Sequence, residues 1–190
     1  VNYAYANKYL VTATFRADGS SKFGANNKYG YFPSVALGWN VTNEGFMANS
    51  FFNNLKVRAS YGVTGNQEIP SKITLASFSE NRLATGAGSF NTYPLDPAAT
   101  TIDKYPYGIT YTRLANPDLQ WEVSSQLDFG VDFALFNFRL TGTLDYFSKV
   151  SSNILLEVVP ADPIQPTSTF WNNIPDMKIV NNGFELALDY

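Results

Sequence analysis

What most constrains this chain is a period-two alternation of apolar and polar residues, sustained over segments longer than strands of soluble domains usually run. Over residues 121–135, Trp121, Val123, Leu127, Phe129, Val131 and Phe133 alternate with Glu122, Ser124, Gln126, Asp128 and Asp132, and Ser125 is the one interruption. Successive side chains of a strand point to opposite faces, so such a segment has one apolar and one polar surface. The same pattern recurs over residues 9–16, 33–41, 55–64, 138–146 and 184–190, with Pro33 expected to open the second of these strands. Residues 1–5 read as the end of a further strand, and residues 44–49 as one helical turn. No segment carries the period of a long amphipathic helix.

The connections alternate in length. Short ones fall at residues 6–8 and 136–137, with a somewhat longer one at 42–54, and long ones at 18–29, 66–118 and 150–180. Short turns on one rim and long loops on the other are the habit of outer-membrane barrels, whose short turns are periplasmic and long loops extracellular. A soluble β-sandwich alternates in the same way, so the aromatics have to arbitrate. Tyr9, Trp39, Phe133, Phe138 and Tyr190 gather towards the short-turn end of the apolar face. Phe15, Tyr61, Trp121 and Tyr146 gather towards the long-loop end. Two such rows are what a lipid-facing girdle requires, because an amphipathic ring sits well at headgroup level. The expected fold is therefore all-β: an antiparallel transmembrane β-barrel wall segment of about six or seven strands from a larger barrel. A secreted β-sandwich that binds carbohydrate is the alternative.

Composition closes off other chemistry. The chain has no cysteine and no histidine, which removes thiolate metal sites, cysteine nucleophiles and Ser-His-Asp triads. Its net charge of −3 is the wrong sign for binding nucleic acid, and 45% hydrophobic against 15% charged residues excludes general disorder. No catalysis, cofactor or metal is expected. Glu122, Asp128 and Asp132 share one face and could be imagined as paired glycosidase carboxylates, but a regular strand offers no pocket, and a hydrated wall is the expected reading. The functional candidates lie in the long loops, where Tyr93, Tyr105, Tyr107, Tyr111, Phe170 and Trp171 could stack on sugar rings or pack against a protein lid. Packing of the loops on themselves is an equally open reading.

Several runs, in order and with matching spacing, are similar to the barrel portion of SusC/RagA-type TonB-dependent outer-membrane transporters. They include Phe15-Arg16-Ala17-Asp18-Gly19-Ser20-Ser21-Lys22-Phe23-Gly24, Phe32-Pro33-Ser34-Val35-Ala36-Leu37-Gly38-Trp39, and Leu55-Lys56-Val57-Arg58-Ala59-Ser60-Tyr61-Gly62-Val63-Thr64-Gly65-Asn66. Further along come Asn116-Pro117-Asp118-Leu119-Gln120-Trp121-Glu122 and Asn182-Gly183-Phe184-Glu185-Leu186. The resemblance implies a protein much larger than residues 1–190, with a plug, a TonB-contacting segment and the remaining strands elsewhere. It also implies outer-membrane lipid as surroundings, a SusD-like surface lipoprotein as partner, TonB acting through the plug, and an oligosaccharide or peptide ligand. The cell would be a Gram-negative, Bacteroidetes-like bacterium. On this reading the chain is a section of barrel wall.

Overall fold

The computed structural model describes residues 1–81, 108–159 and 170–190. Its strands are β1 (Asn2–Tyr5), β2 (Tyr9–Gly19), β3 (Tyr29–Asn40), β4 (Phe52–Asn66), β5 (Ser77–Asn81), β6 (Gly108–Arg113), β7 (Glu122–Leu135), β8 (Leu140–Ser152), β9 (Leu155–Val158), β10 (Phe170–Asn173) and β11 (Ile179–Asp189). Seven of them form one antiparallel sheet in the order β1-β2-β3-β4-β7-β8-β11. β5 with β6 and β9 with β10 are two-stranded excursions inside the long connections, so the segments 66–118 and 150–180 are not structureless. Among the described residues the sheet is open, with β1 and β11 at its edges.

Register turns the alternation of single strands into continuous surfaces. Val11 stands opposite Leu37, Leu37 opposite Ala59, Ala59 opposite Phe129, Phe129 opposite Tyr146 and Tyr146 opposite Phe184. One residue along, Thr12, Ala36, Ser60 and Asp128 form the neighbouring row on the other face. A one-residue slip at any ladder would exchange the faces, so the alternation itself fixes the register.

Pro33 does not open its strand, because β3 begins four residues earlier at Tyr29. The bonds Ala13 N to Val1 O and Asn40 N to Lys8 O orient the even-numbered residues of β3 towards β2, so the N–H that Pro33 lacks would have faced β4. β4 pairs with β3 only from Ser34 onward, and the proline leaves no ladder bond unmade. The helical turn expected at 44–49 is two short 3₁₀ turns, Val41–Asn43 and Gly45–Met47.

Where β3 parts from β4, a small hydrophobic core fills the gap at the long-loop end. It comprises Phe23, Phe32, Ile69, Ile73, Leu119, Trp121 and Leu155, with Val63, Val123 and Trp171 packed against it. Trp121 stacks on Phe23 at 4.4 Å between ring centroids and meets Phe32 edge-on at 5.4 Å.

Candidate functional site

The apolar face of the sheet is uncovered. Val35 is 41% exposed, Leu37 51%, Phe129 49% and Leu186 64%, at mid-strand positions where a sandwich would place its core. Along β3 the face runs from Tyr29 and Tyr31 through Val35 and Leu37 to Trp39. At ~3.3 Å per residue and a tilt near ~40° the ten steps from Tyr29 to Trp39 span roughly 25 Å, the height of a lipid-facing barrel band.

Most of the expected girdle lies on this face. Tyr9 and Trp39, directly opposite in register, stack at 6.5 Å near the short-turn rim, with Phe133 on β7 and exposed Phe138 in the β7–β8 turn. Tyr190 is exposed just beyond β11. Towards the long loops, Phe15 stacks on Tyr31 at 6.1 Å and Tyr146 meets Phe184 at 4.9 Å, while Tyr61, exposed on β4 directly opposite Val35, lies nearer mid-band than expected. Trp121 is the correction. It precedes β7 and is 6% exposed in the rim core, with its indole Nε1 donating to Lys28 O at 3.4 Å. Period-two counting extended the β7 pattern one residue too far, into a segment whose direction is set by the core.

The Tyr9–Trp39 pair is braced from the short-turn rim. Glu44, between the two 3₁₀ turns, accepts Lys8 Nζ at 2.9 Å, Tyr9 OH at 2.8 Å and Trp39 Nε1 at 3.2 Å. These donors, Lys8 first, hold the Glu44 carboxyl down at about 2, and the same hydrogen bond raises Lys8. Nothing in the local alternation flags Glu44, because its partners come from β2, β3 and the turn before β2.

The opposite face is polar, and the carboxylates that β7 and β8 place on it are engaged with the wall itself. Arg58 donates through Nε and Nη2 to both oxygens of Asp132, at 2.9 and 2.8 Å, and through Nη2 to Asp145 at 3.0 Å. Arg58, Gly130 and Asp145 stand directly opposite one another on β4, β7 and β8. A Cβ at Gly130 would lie 2.8 Å from the guanidinium carbon and would overlap the Asp145 carboxylate, so the glycine is the gap through which Arg58 reaches a second strand. Asp128 accepts Ser60 Oγ at 3.1 Å and Gln126 Nε2 at 2.8 Å, and Glu122 accepts Asn66 Nδ2 at 3.3 Å and Leu155 N at 3.4 Å. The three carboxylates singled out from sequence thus sit on three separate sets of partners.

At the long-loop rim, residues 116–120 clasp the bases of three loops. Gly24 N donates to Leu119 O at 3.0 Å, Asn27 Nδ2 to Asp118 O at 3.0 Å, and Asn116 N to Thr74 O at 3.0 Å. Asn173 exchanges two bonds with the backbone of Gln120, at 2.8 and 3.0 Å, and Asn116 Nδ2 donates to Trp171 O at 2.9 Å. Of the loop aromatics, Phe170 and Trp171 lie in β10, half-buried, with Trp171 against the core. Tyr111 lies in β6, opposite Phe78 in register. Tyr93, Tyr105 and Tyr107 fall outside the described residues.

An uncovered apolar face of barrel height, backed by a polar face, is the geometry of a barrel wall, and the family model of the TonB dependent receptor-like β-barrel matches residues 1–190 throughout. The chain belongs to this family. TonB-dependent receptor P3 of Formosa agariphila is 39% identical over the whole chain, which covers 17% of that protein. TonB-dependent receptor SusC of Bacteroides thetaiotaomicron is 33% identical, again over the whole chain and 18% of its own length. Among solved structures, the RagAB peptide importer in its open-open state superposes with a TM-score of 0.79 at 27% identity, covering 98% of this chain and 18% of that one. The siderophore receptor PirA of Acinetobacter baumannii, 14% identical with a TM-score of 0.56 and 24% of its chain covered, shares the fold. The chain therefore spans under a fifth of the length of the curated relatives it matches.

Proposed function

We propose that this chain is a section of the wall of a SusC/RagA-type TonB-dependent importer in the outer membrane of a Bacteroidetes-like bacterium. The observation that carries the reading is the pair of faces: an exposed apolar surface bounded by aromatic rows, and a polar surface on which Arg58 bridges Asp132 and Asp145. The first suits contact with lipid, the second a wet interior. The wall's task is to be rigid and hydrogen-bonded, while energy arrives from TonB through a plug outside this chain. The solved neighbour described as a peptide importer supports peptides as cargo, while oligosaccharide cargo and a SusD-like lipoprotein over the mouth rest on the resemblance to SusC/RagA-type transporters. Tyr93, Tyr105, Tyr107, Tyr111, Phe170 and Trp171 belong to the loops that would meet cargo or lid. Trp171 also packs inward, so its contribution runs partly through holding the rim.

Peptide mapping of the native polypeptide after membrane fractionation tests this. Residues 1–190 are expected in an outer-membrane band several times heavier than 21.1 kDa. A soluble species of about that mass would overturn the proposal.

A further inference from the structure

Two backbone irregularities meet at the short-turn rim, inside the sheet and away from its edges. β4 carries one extra residue at Asn53, a bulge between the pairs Phe52↔Leu135 and Asn54↔Ala134. In unbroken alternation Phe52 would share the polar face with Asn54 and Lys56. The bulge turns it outward beside Leu135, and Phe51 packs on it at 4.3 Å between ring centroids. In the β7–β8 turn, Phe136, Asn137 and Phe138 have φ of 55, 55 and 64°. Asparagine adopts that left-handed conformation readily, whereas a bulky residue there is an outlier, because its Cβ crowds the backbone. The β1–β2 turn reaches a like shape, with φ of 49 and 54°, using the small and polar Ala6 and Asn7. The bulge and the turn are clamped together, since Asn137 N donates to Asn53 Oδ1 at 2.7 Å and Asn53 Nδ2 to Asn137 Oδ1 at 3.5 Å.

Both irregularities present rings that the described residues leave largely uncovered, with Phe51, Phe136 and Phe138 at 72, 67 and 64% exposure. Strain at a bulky residue persists only where something over-determines it, and packing within the described chain does not do so here. Residues 45–53 and 136–138 carry no charged side chain, and the adjoining Arg139 is exposed and in no ion pair among the described residues. Phe52 and Leu135 continue the outward face below Leu55 and Phe133, so the cluster is continuous with the apolar band. Bare rings beside a free guanidinium fit the boundary of a phospholipid leaflet, where acyl chains take the rings and phosphate takes the cation. We infer that Phe51, Phe136 and Phe138, set by the Asn53–Asn137 clamp, form an aromatic foot seated in the phospholipid interface on the short-turn side of the membrane, with Arg139 on a lipid phosphate. This rests on the wall reading above. It adds that lipid contact runs past the strand ends into the turn and offsets the strain stored there.

The test uses the full-length polypeptide, in a background free of other cysteines, folded into vesicles of phosphatidylethanolamine and phosphatidylglycerol. A nitroxide on Phe136→Cys is expected to collide more with oxygen than with a water-soluble nickel chelate, and one on Ala6→Cys to favour the chelate. Chelate access at 136 equal to that at 6 would put the turn in water, and shielding from both reagents would put it against protein; either overturns the inference. A nitroxide on Val35→Cys reports on the wall: if it too meets the chelate freely, the wall reading falls, whereas oxygen at 35 with chelate at 136 removes the foot alone. Stability gives a second readout with a sign. Phe136→Asn relaxes the turn, so without lipid contact the folded-to-unfolded ratio rises, which overturns the inference. With the ring in the interface the ratio falls several-fold, and Phe136→Trp, equally strained but suited to the interface, keeps it near the parent value.

Discussion

Arginine at Val35 should expose the surroundings of the apolar face most directly. Val35 lies four residues from Trp39 and four from Tyr31 on β3, opposite Ala13 and Tyr61. Four steps at ~3.3 Å, with a tilt near ~40°, put it roughly 10 Å from each aromatic row and therefore close to the midplane of a ~25 Å band. Arginine on the lipid face costs about 2–4 kcal/mol at that depth and about 0–1 near the interfaces. A loss of 2–4 kcal/mol lowers the folded-to-unfolded ratio about 30- to 700-fold. Ala36→Arg, one residue along on the polar face between Thr12 and Ser60, should stay within about 1 kcal/mol, because the head can remain hydrated. Tyr31→Arg at the long-loop row should also be mild. The assay is denaturant titration of the full-length polypeptide folding into lipid vesicles, with all three variants compared in the same lipid. Equal costs at Val35 and Ala36 would refute the two-faced wall. A cost at Tyr31 as large as at Val35 would refute lipid as the surroundings, because burial against protein follows packing and not depth.

Three other perturbations are specific. Gly24→Ala should cost about 1–3 kcal/mol, since its Cβ would overlap Pro117 O and lie 2.9 Å from Leu119 N, and rigid backbone has to move; faster proteolysis of the outer loops checks it, and unchanged cleavage would contradict the clasp. Glu44 is held at about 2, below its ordinary carboxyl value, so its contribution is complete above about pH 4.5 and is lost as pH falls from there through 2. Amide exchange across residues 41–49 should rise in that window, and Glu44→Gln should flatten the dependence. Gly130→Ala should push Arg58 off Asp145 at a cost of about 1 kcal/mol or less, because the pair is half-exposed. In Asp145→Asn the same glycine substitution should then cost measurably less, and strict additivity would show that the gap at Gly130 does not serve the ion pair.

What was legible in the sequence was whatever lies within one strand. Val57, Ala59, Tyr61 and Val63 announce a face by their spacing alone, and register then fixes which residues meet across strands. Contacts that cross strands or loops left no such trace. Arg58 and Asp145 are far apart in sequence and meet only because Gly130 lies between them. Glu44 reads as a turn residue until β2 and β3 bring Tyr9 and Trp39 to it. Trp121 was misplaced for a related reason: its neighbours Phe23 and Phe32 come from the β2–β3 hairpin, and no count along β7 can reveal them.

The position of the core separates what holds the wall from what holds the loop bases. Through the band, side chains on the apolar face look outward, so the strands are held by ladder bonds and inward ion pairs and not by a shared interior. The described hydrophobic interior lies at the rim, where Phe23, Phe32, Leu119 and Trp121 lock the loop bases together and the backbone of residues 116–120 receives three loops through hydrogen bonds. Most of those bonds use backbone groups or asparagine amides, so the clasp depends little on which other side chains the loops carry. The register beneath, from Asn66↔Glu122 down to Leu55↔Phe133, is held by its own ladder. In the wall proposed above, the clasp is where the fixed sheet ends and the loops begin.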